Sequence, residues 1–539
     1  MSHQPNSSEL LFEFQSHELQ DGINFLESNN FIVFVKNSKV QHILKNECQH
    51  MKGRFKKASS CRLECLSHGW TLDAETLSYS NPRGVTHNNT LPFTTSDSGK
   101  VSVFKPTEPE SKDVFHRMEP KSQLSDGEFG ISFYAHACVN IRAKNHSLFT
   151  DPWVTGPAFS RGWWLVHTPP PDWISTIANC STIYLSHNHS DHMNEHSLEK
   201  IQRENPNVPI VIPDFEGSTM MVSLQNMGFN NVRVLPFYQW ENLDADCRYM
   251  ILPDASGRHD SGLLFEYKGH RIVTTVDCAN CCNGELPQDV DVLLSSFAGG
   301  ASGFPVCWEE QYPKTEIQRI VKNNRTILLD NIVKQLEKTN ARSFIPYAGY
   351  FTEAHPDDEM VKKMNEKNSP QNVVDYLAKR CPDVKTHIPF PGDFFDLSSL
   401  SNKVPHSNSL QNHDTWNMAY YCEKLSAPLL SHDELNGYFQ EIKFQGDLVL
   451  HIVETDDLFK DHLREYYVDF RLDDRKVFLQ KPLTESIRYL RMKVRQDVFS
   501  YILKRRLPWE EISIGFQAQF FRQPDEYNYD FWHYMQNHV

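Results

Sequence analysis

Long apolar runs are missing from this chain of 539 residues. No stretch approaches the roughly 18–20 consecutive apolar residues that a membrane span needs. The opening segment MSHQPNSSELLFEFQSHELQ lacks the basic stretch and apolar core of an export signal. Positive charge is short as well: 54 Lys+Arg against 69 Asp+Glu leave −15, which excludes a general nucleic-acid binder though not a local basic patch. The 12 cysteines are scattered and form no compact secreted framework. Without an export signal they are expected as thiols or metal ligands rather than disulfides. Internal repeats and low-complexity tracts are absent too. These absences lead to the expectation of a soluble, cytoplasmic protein.

What is present is globular in character, with 39% hydrophobic, 23% charged and 12% aromatic residues. The length suggests about two to four domains. Residues 9–110 read as short strands between turn residues, such as Phe31-Ile32-Val33-Phe34-Val35. A polar, Pro-containing stretch over 104–128 reads as a linker. From 128 to 400 strands alternate with helices: 183–185, 210–212 and 272–276 are strand-like, while 194–204 and 315–339 look helical. A second polar stretch, 401–416, precedes a C-terminal α/β region, 415–539, with a strand over 448–453 and a helix over 484–505. The expected class is a multidomain α+β protein.

Two constellations carry chemistry. Cys48-Gln-His50 and Cys65-Leu-Ser-His68 place C-x-H and C-x-x-H pairs on either side of 14 intervening residues. Two thiolates on one iron and two neutral imidazoles on the other are the ligand set of a Rieske [2Fe–2S] cluster. A zinc site made by the same four residues is the alternative, disfavoured by the Cys/His order in both halves. His68-Gly69-Trp70 resembles the H-G-W of Rieske domains. Lys36, Lys39, Lys45, Lys52, Arg54, Lys56, Lys57 and Arg62 concentrate basic charge around these loops. They are either solvated strand faces or a docking surface for an acidic electron donor.

The second constellation is His187-Asn-His189-Ser-Asp191-His192, directly after the strand-like Ile183-Tyr184-Leu185. Three imidazoles and a carboxylate in six residues serve to aim several ligands at one or two metal ions. This motif resembles that of the metallo-β-lactamase fold, an αββα sandwich. In that fold further ligands come from later loops, and Asp277 and His355 stand where the bridging aspartate and last histidine are expected. The remaining position falls at Asp254 or His259, and an aspartate there makes the site harder and better suited to iron than to zinc. His136 and Asp151-Pro152-Trp153 resemble the opening hairpin of lactonase-like members and read equally well as core and turn residues.

A cluster that moves single electrons beside a hydrolytic centre would have no purpose, so the pair points to reductive O2 activation at non-haem iron. The chain resembles the CMP-N-acetylneuraminic acid hydroxylase family over nearly its whole length. The resemblance rests on Cys48/His50/Cys65/His68, Asp151–Trp153, Gly156–Phe159, Arg161-Gly-Trp163-Trp164 and Ser186–His192. It continues through Glu266–His270, Val276–Cys278, Phe297–Pro305, Tyr347–Phe351 and Ile514–Phe516. It departs where Met51-Lys52 follows His50 and where the loop between the ligand pairs is shortened.

The resemblance implies hydroxylation of CMP-N-acetylneuraminate to CMP-N-glycolylneuraminate with O2. Electrons would come from NADH through cytochrome b5 reductase and cytochrome b5. They would reach iron held by His187, His189, Asp191, His192, Asp277 and His355 through the cluster. Arg161, with Trp163 and Trp164, is a candidate for the substrate's anionic groups and cytosine; an interior aromatic cluster is the other reading. The Gly-rich Phe297–Pro305 loop has no lysine in P-loop register. A zinc-dependent hydrolase with a structural N-terminal metal site, and an electron-transfer protein with a degenerate second domain, are the competing classes.

Overall fold

The computed structural model describes residues 10–27, 30–48, 54–66, 70–81, 83–87, 90–105, 114–119, 123–300, 303–403, 417–480, 482 and 488–536. The chain divides into two units. The first comprises Met1–His116 with Ala255–Gly257 and Glu526–Asp530, and the second holds the remainder.

The strands of the first unit pair antiparallel throughout, among its described residues. Two three-stranded sheets join Leu10–Gln15 with Lys100–Phe104 and Phe93–Thr95, and Gly22–Leu26 with Phe31–Lys36 and Lys39–Lys45. A five-stranded meander runs through Phe55–Lys57, Arg62–Cys65, Thr71–Asp73, Ser78–Asn81 and Arg83–Thr86. Strands this short bury little individually, so the unit is held by compact clusters, one of them formed by Ile32, Phe34, Leu44, Leu63, Trp70, Leu72 and Tyr79.

The second unit is built on two sheets. One has eight strands, in the order Val232–Leu235, Ile210–Pro213, Thr182–Tyr184, His146–Thr150, Cys138–Ala143, Phe129–Ala135, Phe394–Asp396 and Ser401–Asn402. The other has seven, in the order Trp240–Asn242, Cys247–Pro253, Ser261–Tyr267, His270–Thr274, Val292–Ser295, Ser343–Pro346 and Lys385–Thr386. Their inner faces interlock: the Phe129 and Phe265 rings stack at 5.9 Å, and the Tyr184 hydroxyl meets Ser261 Oγ at 2.6 Å. Parallel strands covered on both faces must be apolar throughout, which is why Ile210–Pro213 and Val292–Ser295 are buried at every residue. The helices Trp173–Ala178 and Glu195–Glu204 flank the first sheet, and Lys314–Thr339 and Pro370–Arg380 the second, giving an αββα sandwich.

The C-terminal part of this unit is a five-stranded sheet in the order Val477–Phe478, His462–Asp469, Val449–Thr455, Tyr489–Arg495 and Ala518–Gln523. The helices His432–Glu441 and Gln496–Arg505 accompany it, with a core in which Phe439, Trp509 and Phe531 are fully buried. The helix expected over 484–505 starts only at Gln496. The preceding Tyr489–Arg495 is a strand because Leu490, Met492 and Val494 alternate inward with period two. No helix of the described residues is long and apolar enough to cross a membrane.

Candidate metal centre

The His-rich loop leaves the buried strand Thr182–Tyr184 at Leu185 and ends where Asn194 caps the helix Glu195–Glu204. Asp151, at the end of the neighbouring parallel strand, fastens its start. The Asp151 carboxylate accepts the Ser186 N–H at 2.7 Å and the Ser186 hydroxyl at 2.8 Å, and it faces His192 Nδ1 at 3.0 Å. The His192 and Met193 N–H groups donate back to the His189 carbonyl, which closes the loop into a tight turn.

Three further residues enter from other strand ends: His136 between Phe129–Ala135 and Cys138–Ala143, Asp260 just before Ser261–Tyr267, and Asp277 just after His270–Thr274. His136, Asp151 and Val276 have φ of 41°, 36° and 48°, a region that residues with a Cβ seldom occupy and a β-branched residue least of all. Backbone strain thus collects around this edge of the sandwich.

The side chains converge in three overlapping groups whose ligand atoms lie within 4.8 Å of one another: His136/Asp191/His192, His187/His189/Asp260 and His187/His192/Asp277. His187 Nε2 faces His189 Nδ1 at 2.9 Å and Asp260 Oδ1 at 3.7 Å. His192 Nε2 lies 3.4 Å from Asp191 Oδ2 and 3.5 Å from Asp277 Oδ2, and His136 Nε2 lies 3.3 Å from Asp191 Oδ2. Burial, with the neighbouring His192 and His189, pushes His187 well below the usual imidazole range, whereas Glu510, Asp260 and Asp191 outweigh burial at His189 and raise it to about 9. Burial alone would raise the Asp191 carboxyl, but His192 and His136 hold it well below the usual range.

These residues fit a metal. Asp191 Oδ1 and His192 Nε2 are buried and accept or donate no hydrogen bond, which is costly unless a cation completes them. Imidazole and carboxylate donors without thiolate suit a divalent first-row metal such as iron.

Several expected ligands stand elsewhere. Asp254 is turned aside, accepting the Asn280 N–H at 2.8 Å, and Asp260 takes the place assigned to it. His259 stacks on Phe215 at 4.9 Å and joins no group. His355 also joins none: it precedes the short 3-10 turn Pro356–Asp358, and its Nδ1 accepts the Asp357 N–H at 3.3 Å.

The Arg161 assignment is corrected as well. Arg161 is only 2% exposed and is gripped by Asp497 at 3.0 Å and by Asp457, so its charge is neutralised within the protein. Trp163 stacks on Phe351 and donates to the Ile514 carbonyl, and Trp164 donates to the Arg161 carbonyl. The trio is the interior seam between the sandwich and the C-terminal sheet.

Sequence reasoning passed over Asp260 and Glu510, the latter 3.1 Å from His189 Nε2. Nothing in their spacing marks either. Of the Phe297–Pro305 loop, the described part is packed: a Cβ on Gly303 would lie 2.0 Å from the Ser513 carbonyl oxygen.

In the first unit Cys48 and Cys65 are buried in the same cluster as Trp70 and Tyr79. Cys48 Sγ lies 3.6 Å from the Tyr79 hydroxyl, which meets His87 Nδ1 at 3.0 Å. His50 and His68 lie outside the described residues, as does Lys52. Of the basic residues, Lys36 pairs with Glu75, and Lys56 with Glu64 at 3.0 Å, so that surface carries both signs.

The fold and the site are those of a mixed α/β protein with a buried histidine–aspartate cluster, able to hold a metal, at one edge of an αββα sandwich. No family model matches the chain. Curated proteins do. Cytidine monophosphate-N-acetylneuraminic acid hydroxylase of Asterias rubens is 34% identical, covering 97% of this chain and 85% of that protein. The protein of that name from Danio rerio is 33% identical over 97% and 92%, and that from Mus musculus 32% over 96% and 93%. The chain belongs to the cytidine monophosphate-N-acetylneuraminic acid hydroxylase family. Among solved structures, CmlA, a diiron β-hydroxylase from Streptomyces venezuelae, aligns at 12% identity and TM-score 0.33 over 48% of this chain and 53% of that one, too loosely to carry an argument.

Proposed function

We propose that this protein is a cytoplasmic monooxygenase that hydroxylates the N-acetyl methyl group of CMP-N-acetylneuraminate, giving CMP-N-glycolylneuraminate. The reaction takes one O2, two electrons and two protons and releases one water. In this reading residues 9–110 form a Rieske domain, 128–400 the catalytic domain, and 415–539 a C-terminal region packed against it. The observation that carries it is the convergence of His136, His187, His189, Asp191, His192, Asp260 and Asp277 in a chain of the hydroxylase family.

Iron bound there would supply O2 activation, and a [2Fe–2S] cluster on Cys48, His50, Cys65 and His68 would supply electrons singly. The protein's part is to hold and orient. Asp151 and Ser186 fix the planes of His192 and His187. Burial keeps water from the centre and holds His187 neutral. Cytochrome b5, fed by NADH and its reductase, is the proposed donor, and its acidic face would suit the lysines of the first unit.

The test is a low-temperature EPR spectrum of the reduced protein, with iron and zinc counted on the same sample, followed by O2 uptake with CMP-N-acetylneuraminate. A Rieske-type rhombic signal, iron beyond the cluster's own pair, and substrate-dependent O2 uptake are expected. A silent spectrum with zinc as the sole metal would sink the monooxygenase and favour a hydrolase.

A further inference from the structure

The three histidines of the Ser186–His192 loop differ in what holds the nitrogen turned away from the cluster. His187 Nδ1 meets Ser186 Oγ at 2.9 Å, and His192 Nδ1 meets Asp151 at 3.0 Å. For His189 the inward atom is Nδ1, facing His187, so the outward one is Nε2, and it meets Glu510 Oε2 at 3.1 Å. A ligating imidazole needs such a partner because it fixes tautomer and ring plane and raises ligand basicity. Ser186 and Asp151 come from the strand ends that frame the loop. Glu510 opens the short helix Glu510–Ser513 of the C-terminal region.

That helix has no freedom to drift. Glu511 accepts the Ser160 N–H and, at 3.1 Å, the Ser160 hydroxyl, and a hydrogen bond joins it to Ser190, inside the metal loop itself. The backbones also touch directly: a Cβ on Gly162 would lie 2.2 Å from the Gly515 carbonyl oxygen. Anchoring is therefore accomplished by Glu511 and the glycines, and the Glu510 carboxylate meets His189. Glu510 is not itself among the converging groups; it sits on the far side of the imidazole from them.

We propose that Glu510 is a positioning residue of the metal centre: its carboxylate holds His189 Nε2–H so that Nδ1 is presented to the metal. The inference deepens the reading of the cluster as a metal centre and rests on it. In consequence the metal loop is supported from two regions, and His189 is the ligand governed by the second.

The experiment uses the full-length metal-free chain titrated with cobalt(II) in competition with a chromophoric chelator. Wild type, Glu510→Gln and Glu510→Ala are compared by affinity, by the cobalt absorption bands, and by the melting temperature of the metal-free chain. The alanine variant is expected to bind cobalt about 10–100-fold more weakly, with shifted bands and an unchanged metal-free melt. The glutamine variant, whose amide oxygen still accepts from Nε2–H without the charge, should lose several-fold and keep bands close to wild type. Either variant matching wild type in both affinity and bands would overturn the role of Glu510, and the isosteric glutamine decides if alanine unfolds the chain. A wild-type chain that binds no cobalt would overturn this role and the metal-centre reading together, which separates the two failures.

Discussion

The ends of the metal loop and its middle are supported by different means. At His187 and His192 the supports, Ser186 and Asp151, lie at strand ends of the β-sandwich, fully buried and joined by the sheet's own register. At His189 and Ser190 they are Glu510 and Glu511, from a helix that the sandwich does not contain. The order of the ends is a property of the fold, and that of the middle is imposed on it. A sandwich of this kind can therefore hold part of a metal centre alone, while the geometry of the remainder depends on a covering region. This is a way to specialise a common scaffold without altering its strands.

The comparison breaks most severely at Asp151. Asp151→Ala removes three hydrogen bonds at once and places alanine at positive φ, so denaturant unfolding should show a loss of about 3–5 kcal/mol and metal analysis should show an empty site. Glu511→Ala acts on the middle of the loop. It leaves the buried Ser160 N–H without an acceptor, costing about 1–3 kcal/mol, and metal binding should weaken without vanishing. If Glu511→Ala empties the site as thoroughly as Asp151→Ala, the division into intrinsic and imposed supports is wrong.

A third prediction concerns pH at the seam. His196 is buried, and its pKa is pushed down to about 3 by burial and then by Lys424, Lys200 and Arg505. The folded state keeps it neutral while the unfolded chain takes up a proton below its ordinary value of 6.5, so stability is full above that value and falls as the pH drops toward about 3. Chemical denaturation of the metal-free chain should show a loss of about 2 kcal/mol between roughly pH 7 and pH 5 from this group. His196→Gln should remove this group's share of the slope over that window, and an unchanged slope would remove the seam from the account. The smallest effect is expected for Ser186→Ala, about 1 kcal/mol in the melt, with a modest drop in metal affinity, because His192 keeps Asp151.

Local signals were legible in the sequence. The strand before the His-rich loop, the helix after it and the long helix Lys314–Thr339 all follow from short-range periodicity, and the loop's composition announced a metal. The strand Tyr489–Arg495 was misread because a period-two stretch runs directly into the helix Gln496–Arg505 with no breaker between. Ligands beyond the loop were harder. Asp277 joins the cluster, whereas Asp254 and His355 are satisfied by their own neighbourhoods, Asn280 and Asp357. Asp260 lies opposite Asp254 at the end of one antiparallel strand pair, and what separates them is a loop contact, the Asn280 N–H that holds the Asp254 carboxylate, which leaves no mark in the sequence. Arg161 looked like an anion-binding residue because its two carboxylate partners, Asp457 and Asp497, come from about 300 residues away. Pairings at that separation leave no trace in composition or spacing.

The same separation sets a schedule for the nascent chain. Ser160 and Glu511, which lock the loop to its cover, are 351 residues apart. At a synthesis rate of about 5–20 residues per second, roughly 20–70 s pass between the appearance of one and of the other. From the completion of the sandwich near residue 402 until Glu511 appears, the histidine loop has only its sandwich-borne supports. The emergence of the short helix Glu510–Ser513 is thus the step that licenses the centre, and a metal taken up earlier would meet a looser set of ligands than the finished protein offers.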